Sequence, residues 1–163
     1  MKLIKNSLGI SLFAAALLLG AAPAQAVSSR VGSAEDLGVG VALGQPMGAT
    51  AKYWLSPSVA VDGMLGYHFG SNFDMHADYL WHSFSSFNIS SGRLPFYLGL
   101  GGRVLLGDDS QFGFRFPLGA SYLFPTDPME LFAEIAPVMK LTSGVGVDID
   151  GIVGIRVYLN YLH

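Results

Sequence analysis

The chain has 163 residues, with nine Lys or Arg against twelve Asp or Glu and a formal net charge of -3. That length fits one domain, the mild acidity excludes the basic patch that a nucleic-acid partner requires, and the absence of cysteine excludes both a disulfide framework and a thiolate metal site. Half of the residues are hydrophobic and few are charged, yet past the N-terminus no apolar run reaches the roughly 18 residues of a spanning helix. High hydropathy without a long apolar run is what alternating strands in a membrane produce.

Residues 1–26 read as a signal peptide. Lys2 and Lys5 form a positive start, residues 10–19 are an apolar stretch, and Ala24-Gln25-Ala26 supplies small residues at the spacing of a cleavage site. The stretch is short for a retained anchor, and Pro23 favours processing, so cleavage after Ala26 is expected. The barrel domain is then residues 27–163.

Eight strands are expected over residues 36–43, 47–55, 58–69, 73–82, 95–106, 112–124, 130–141 and 146–160. Turn-rich segments separate them, among them Gly44-Gln45-Pro46, Ser56-Pro57, Gly70-Ser71-Asn72 and Pro125-Thr126-Asp127-Pro128. Connections this short join antiparallel neighbours. Within each strand the two faces differ, because successive side chains point opposite ways. In the second strand Lys52 is the charged residue. In the third, Val59, Val61, Leu65, Tyr67 and Phe69 oppose Asp62 and His68. In the fourth, Phe73, Met75, Ala77, Tyr79 and Trp81 oppose Asp74, His76, Asp78 and His82. The fifth sets Phe96, Leu98, Leu100 and Val104 against Tyr97, Gly99, Gly101 and Arg103, and the sixth sets Phe112, Phe114, Phe116, Leu118, Tyr122 and Phe124 against Arg115 and Ser121. The seventh sets Leu131, Ala133, Ile135, Pro137 and Met139 against Glu130, Glu134 and Lys140. The eighth sets Val147, Ile149, Val153, Ile155 and Val157 against Asp148, Asp150 and Arg156.

These apolar faces are too many and too aromatic for one small core. They fit an all-β, eight-stranded antiparallel transmembrane up-and-down barrel, with its apolar face in lipid and its charges in the lumen. A charged Arg or Lys on the lipid face would cost about 2–4 kcal/mol at mid-membrane, and no assigned strand accepts that cost. The lumen network is expected to contain Lys52, Asp62, Asp74, Asp78, Arg103, Arg115, Glu130, Glu134, Lys140, Asp148, Asp150 and Arg156. Glycines at lumen positions, including Gly38, Gly99, Gly101 and Gly119, leave room for these long side chains. An eight-stranded barrel is just filled by its own side chains, so a plugged lumen is expected. The longest connection, residues 83–94, carries Phe84, Phe87 and Ile89 and reads as a flap on the barrel end or an interfacial anchor. Trp54, Trp81 and the tyrosines read as girdle residues at the membrane interfaces.

Two chemistries were weighed against this reading. The series Asp74-x-His76-x-Asp78-x-x-x-His82, with His68, offers ligand types for Zn²⁺. Alternate residues of one strand lie about 7 Å apart, however, too far for one ion without help from neighbours. A polar network with Arg103 and Lys52 is the simpler account. A lipid-modifying activity would need a nucleophile near a base, but adjacent His82 and Ser83 point to opposite faces, and no Gly-x-Ser-x-Gly motif is present. No catalytic residue, metal or cofactor is therefore expected.

Several segments carry a resemblance: Asp78-Tyr79-Leu80-Trp81-His82, residues 94–103 (LPFYLGLGGR), Arg115-Phe116-Pro117-Leu118-Gly119, residues 131–137 (LFAEIAP) and residues 150–156 (DGIVGIR). With these segments the chain resembles the small outer-membrane β-barrel proteins of the OmpA/OmpX-like group, and more narrowly an uncharacterised family of short barrels. The resemblance implies the outer membrane of a diderm, Gram-negative-type bacterium, reached by the general secretory route. It implies outer-membrane lipids and the barrel assembly machinery as partners, and no established activity. Such barrels end on an aromatic residue, whereas here Tyr161 stands two residues before the end. The expected role is non-enzymatic, structural or in surface interaction, as a monomer, with an extracellular or host protein partner left open. A narrow pore or small-solute transporter and a lipid-modifying enzyme are the alternatives. A soluble calyx would need the reverse pattern of faces.

Overall fold

The computed structural model describes residues 32–68, 72–84, 91–107, 110–142 and 146–161. Nine strands form one antiparallel sheet: β1 (Leu37–Gln45), β2 (Met47–Ser56), β3 (Val59–His68), β4 (Asn72–Ser83), β5 (Phe96–Leu106), β6 (Gln111–Arg115), β7 (Leu118–Leu123), β8 (Met129–Lys140) and β9 (Gly146–Tyr158). Because β1 pairs with both β2 and β9, and β4 with both β3 and β5, the sheet closes into a ring. Closure leaves no strand edge unpaired, which is the condition for placing a sheet in an apolar medium. A 3-10 turn, Leu159–Tyr161, follows β9, so the last two residues expected in the final strand lie in that turn.

The expected sixth strand is present as β6 and β7, which lie end to end. The register on both sides is uninterrupted. On β5, Gly101 faces Arg115 and Leu98 faces Leu118; on β8, Val138 faces Arg115 and Ile135 faces Leu118. What separates the halves is Pro117. Gly99 N–H donates to the Pro117 carbonyl at 2.8 Å, and Phe116 N–H donates to the Pro137 carbonyl at 3.0 Å. Neither proline can return a bond, since proline has no N–H. The wall is therefore eight staves around, with one stave crossed by two half-bonded rungs. The other departure is at β1, which runs on through Gly44. There φ is +134°, a conformation open to glycine, and Pro46 is left as the turn.

Side chains alternate as the pleat requires. Leu65, Tyr67, Leu98, Phe114, Ile135 and Ile149 are among the large apolar groups exposed on the outer face. All twelve Asp, Glu, Lys and Arg residues of the strands point inward. The start of β1, the end of β9 and the β2–β3, β4–β5 and β7–β8 connections share one end of the barrel. That end is closed by a cluster of Trp54, Ala60, Leu123 and Tyr158, against which Phe84 and Tyr161 pack. Trp54 is thus an interior residue and not a girdle residue, and so are Tyr97 and Tyr158. Each shares its strand parity with a charged neighbour, Lys52, Arg103 or Arg156, and that parity decides its direction. Phe132 is interior too, under the Arg156 guanidinium, whereas Tyr67, Tyr79, Trp81, Phe96, Phe112, Phe114 and Phe116 lie outside. Tyr67 and Phe73 meet edge to face at 5.8 Å toward one end, and Tyr79 and Trp81 at 4.8 Å toward the other.

The half-bonded rungs at Pro117 and Pro137 set an expectation for local opening. One missing backbone bond is worth about 0.5–1.5 kcal/mol, or up to roughly tenfold in an opening equilibrium. In hydrogen exchange the amides of Gly99 and Phe116 should exchange up to about tenfold faster than those of Glu134 and Ile152. Equal protection would show that the prolines do not loosen the wall.

Candidate functional site: the charged interior

Two ion-pair clusters lie inside the barrel. The first centres on Glu130 of β8. Lys52 of β2 donates to it from 2.8 Å, although β1 and β9 separate those strands in the ring. The Ser121 hydroxyl donates to the same carboxylate oxygen, and the Tyr158 hydroxyl donates to the other oxygen at 2.6 Å. Trp54 Nε1 donates to the Tyr158 oxygen at 2.9 Å, tying the charge to the apolar plug at the chain ends. Arg156 lies 3.6 Å from Glu130 and donates to Asp62 and to Thr50 Oγ1, each at 2.8 Å, with its guanidinium 3.8 Å over the Phe132 ring.

The second cluster centres on Arg115 of β6. Its guanidinium donates to Asp78 on β4, to Glu134 on β8 at 2.6 Å and to Asp150 on β9 at 3.3 Å. Arg103 of β5 takes the other Asp150 oxygen at 2.6 Å, reaches Asp148 at 3.0 Å and lies 3.8 Å from Asp74. Toward the opposite end of the barrel, Lys140 donates to Asp148 at 3.2 Å, and both are partly exposed. His76 lies 3.1 Å from Asp74, and His68 lies 3.9 Å from it. Tyr97 links the two clusters: its hydroxyl donates to Glu134 at 3.0 Å and its ring lies 5.4 Å from Lys52 Nζ.

Most of these contacts run across the barrel and not along the ladder. Lys52 sits directly opposite Asp62 in the β2–β3 register, yet its partner is Glu130, and Asp62 goes to Arg156. Asp62 also faces Asp78, a like-charged neighbour, and each carboxylate is taken by a different arginine. Such crossing needs space. Gly101 lies between Arg115 and Asp78 in the ring, and a Cβ there would collide with the Asp78 carboxylate. Gly119 likewise leaves room for the Tyr97 ring.

The Asp74, His76, Asp78 and His82 series does not converge. Asp78 is held by Arg115, while the His82 ring lies between Trp54, at 4.4 Å, and Tyr97, at 5.1 Å. Among the described residues, no group of three or more His, Cys, Asp or Glu is placed to hold a metal ion. Outside the wall, the segment before β1 is latched to the turn after β9. Asp36 accepts hydrogen bonds from the Ser33 amide at 2.9 Å and the Tyr161 hydroxyl at 3.1 Å. Partial burial and the Asp36 carboxylate push the Tyr161 hydroxyl above its ordinary pKa. In the long connection, Arg93 lies 5.2 Å over the Phe84 ring and bridges to Leu123. Phe87 and Ile89 lie outside the described residues.

Sequence reasoning set Tyr97 and Ser121 on the charged face without naming their partners, and it missed Thr50, Trp54 and Tyr158 as neutral partners of the charges. Strand parity could have found all of them, since each points the same way as a charged residue of its own strand or of the adjoining strand half.

The geometry defines a closed antiparallel barrel of the outer-membrane type. Among solved structures it is similar to the N-terminal β-barrel domain of Pseudomonas aeruginosa OprF, with a TM-score of 0.56 over 77% of this chain and 98% of that one, at 13% sequence identity. That likeness concerns the fold. No protein-family model matches the sequence, and no curated protein matches it.

Removing one member of a buried pair strands the other charge, typically at about 3–5 kcal/mol, less where water enters. Lys52→Met should therefore lower the denaturant midpoint of the folded barrel clearly, and Glu130→Gln should do the same. The double variant should recover part of the loss. Strictly additive losses in that cycle would mean the two side chains do not act as a pair.

Proposed function

We propose that this protein is an integral outer-membrane barrel of the OmpA/OmpX-like kind, with an interior closed by its own ion pairs and a structural or surface-interaction role that involves no turnover. The observation that carries this reading is the set of charge contacts that cross the interior, Lys52 to Glu130, Arg156 to Asp62 and Arg103 to Asp150. They occupy the path that a solute would take. The outer face supports the membrane half of the reading. It is apolar along the strands apart from Ser83 at the end of β4, with aromatic pairs toward both ends, as lipid-facing barrels require. A soluble protein of this size rarely exposes so much contiguous apolar surface. Residues 1–26 would direct export and be removed, and the assembly machinery and outer-membrane lipids would be the obligatory partners.

Reconstituted in a planar bilayer, the mature chain should give no unit conductance at neutral pH. Discrete channel openings in the unmodified protein would replace this reading with that of a narrow pore. The membrane half is checked separately. Cysteines introduced at Phe114, Ile135 or Val153 should react with lipid-soluble maleimides and resist water-soluble ones, and ready labelling by the water-soluble reagent would contradict it.

A further inference from the structure

The outer wall is not uniformly convex. A recess of about 890 Å³ crosses it from β1 through β9, β8, β7 and β5 to β4, a volume within the roughly 300–1,000 Å³ of ligand pockets. Its floor follows a line of directly paired residues: Leu43, Val153, Ala133, Ala120, Phe96 and Ser83. A parallel line, Gly151, Ile135, Leu118, Leu98 and Trp81, forms one side. The recess exists because Ala120, Ala133 and Gly151 are small where their neighbours are Leu, Ile, Phe and Val. At Gly151 an added Cβ would meet nothing within 4 Å. No side chain on either line is charged; Glu134 and His82 also line the recess but turn into the barrel, Glu134 to Arg115 and His82 against Trp54, and Ser83 lies at the end of the first line nearest the barrel end that holds the start of β1 and the end of β9.

The shape selects an occupant. Five strand-to-strand steps of about 4.8 Å make a path of roughly 24 Å. With strands tilted by about 35–45°, a line across them climbs roughly 15 Å along the barrel axis, half of a hydrocarbon core about 30 Å thick. We propose that this recess binds one acyl chain of a membrane lipid, lying obliquely along the wall with its headgroup at the Ser83 end. The site rests on the membrane reading above and adds to it a specific, saturable lipid position among the bulk lipid. The length of one leaflet, the absence of charge and the single polar end match a lipid chain. A second copy of the barrel would instead need a flat or self-complementary face.

Trp81 lines the recess and is exposed, whereas Trp54 is buried inside the barrel. The refolded full mature chain in detergent micelles is titrated with a phosphatidylcholine brominated on its acyl chain. The expected result is saturable fluorescence quenching at low lipid fraction that is absent in Trp81→Phe. Gly151→Leu, and independently Ala133→Leu, should weaken that saturable phase at least fivefold while keeping the folded gel mobility. Quenching that only rises in proportion to brominated lipid, or that survives both fillings unchanged, overturns the site. Efficient disulfide dimers of Gly151→Cys with a doubled mass in detergent would assign the recess to a second copy and also overturn it. In vesicles of the same lipid, proportional quenching without a saturable phase would leave the membrane reading standing while the site fails. No quenching at all would remove both.

Discussion

One constraint shapes this molecule: twelve charged side chains must share the inside of a barrel only eight staves around. The outer face is apolar, so the pleat sends every strand charge inward. Once there, all but Lys140 and Asp148 are shut off from bulk water and have to find a partner at the distance of a hydrogen bond. Most of the contacts follow from that. Arg115 serves three carboxylates, Asp150 is shared by two arginines, and Glu130 gathers a lysine, an arginine and two hydroxyls. Glycines stand where the chords pass over the wall, because a methyl group would block them.

The same crowding explains how the interior is graded. Toward the chain ends the filling is aromatic, with Trp54 and Tyr158 joined by a hydrogen bond and capped by Phe84. In the middle it is ionic. At the opposite mouth, Lys140 and Asp148 keep partial access to solvent. Trp54 and Tyr158 act at the boundary because each has an apolar body and a polar tip. Their rings close the end, and the Tyr158 hydroxyl hands a proton donor to Glu130. Replacing a buried ion pair with apolar groups is often neutral for stability, so the charges specify the packing more than they strengthen it.

Much of this was legible in the sequence, and the reason is the period of two. Once Phe114 and Arg115, or Ile135 and Glu134, stand on opposite faces of one strand, the direction of every other residue on that strand is fixed. Strand positions followed to within two residues except where proline chemistry intervened, at Pro117 and after Gly44. Partners were not legible. Parity places Lys52 and Asp62 inside and side by side, but it says nothing of which charge lies across the barrel, because that depends on tilt, stagger and the space left by glycines. Trp54 was misplaced for a different reason: an aromatic residue near a strand end suggests a girdle, and its parity with Lys52 carried the better information.

On the proposed reading, the arginines are held in fixed, water-poor pairs that close the interior. Proton-detected nuclear magnetic resonance of the guanidinium groups in the folded, micelle-bound protein tests it most directly. The Nε–H of Arg115, which donates to Asp150, should give a resolved signal that exchanges slowly with water and responds to Asp150→Asn. A signal at the position of free arginine, exchanging fast and indifferent to that substitution, would mean a wet and mobile lumen and would contradict the account.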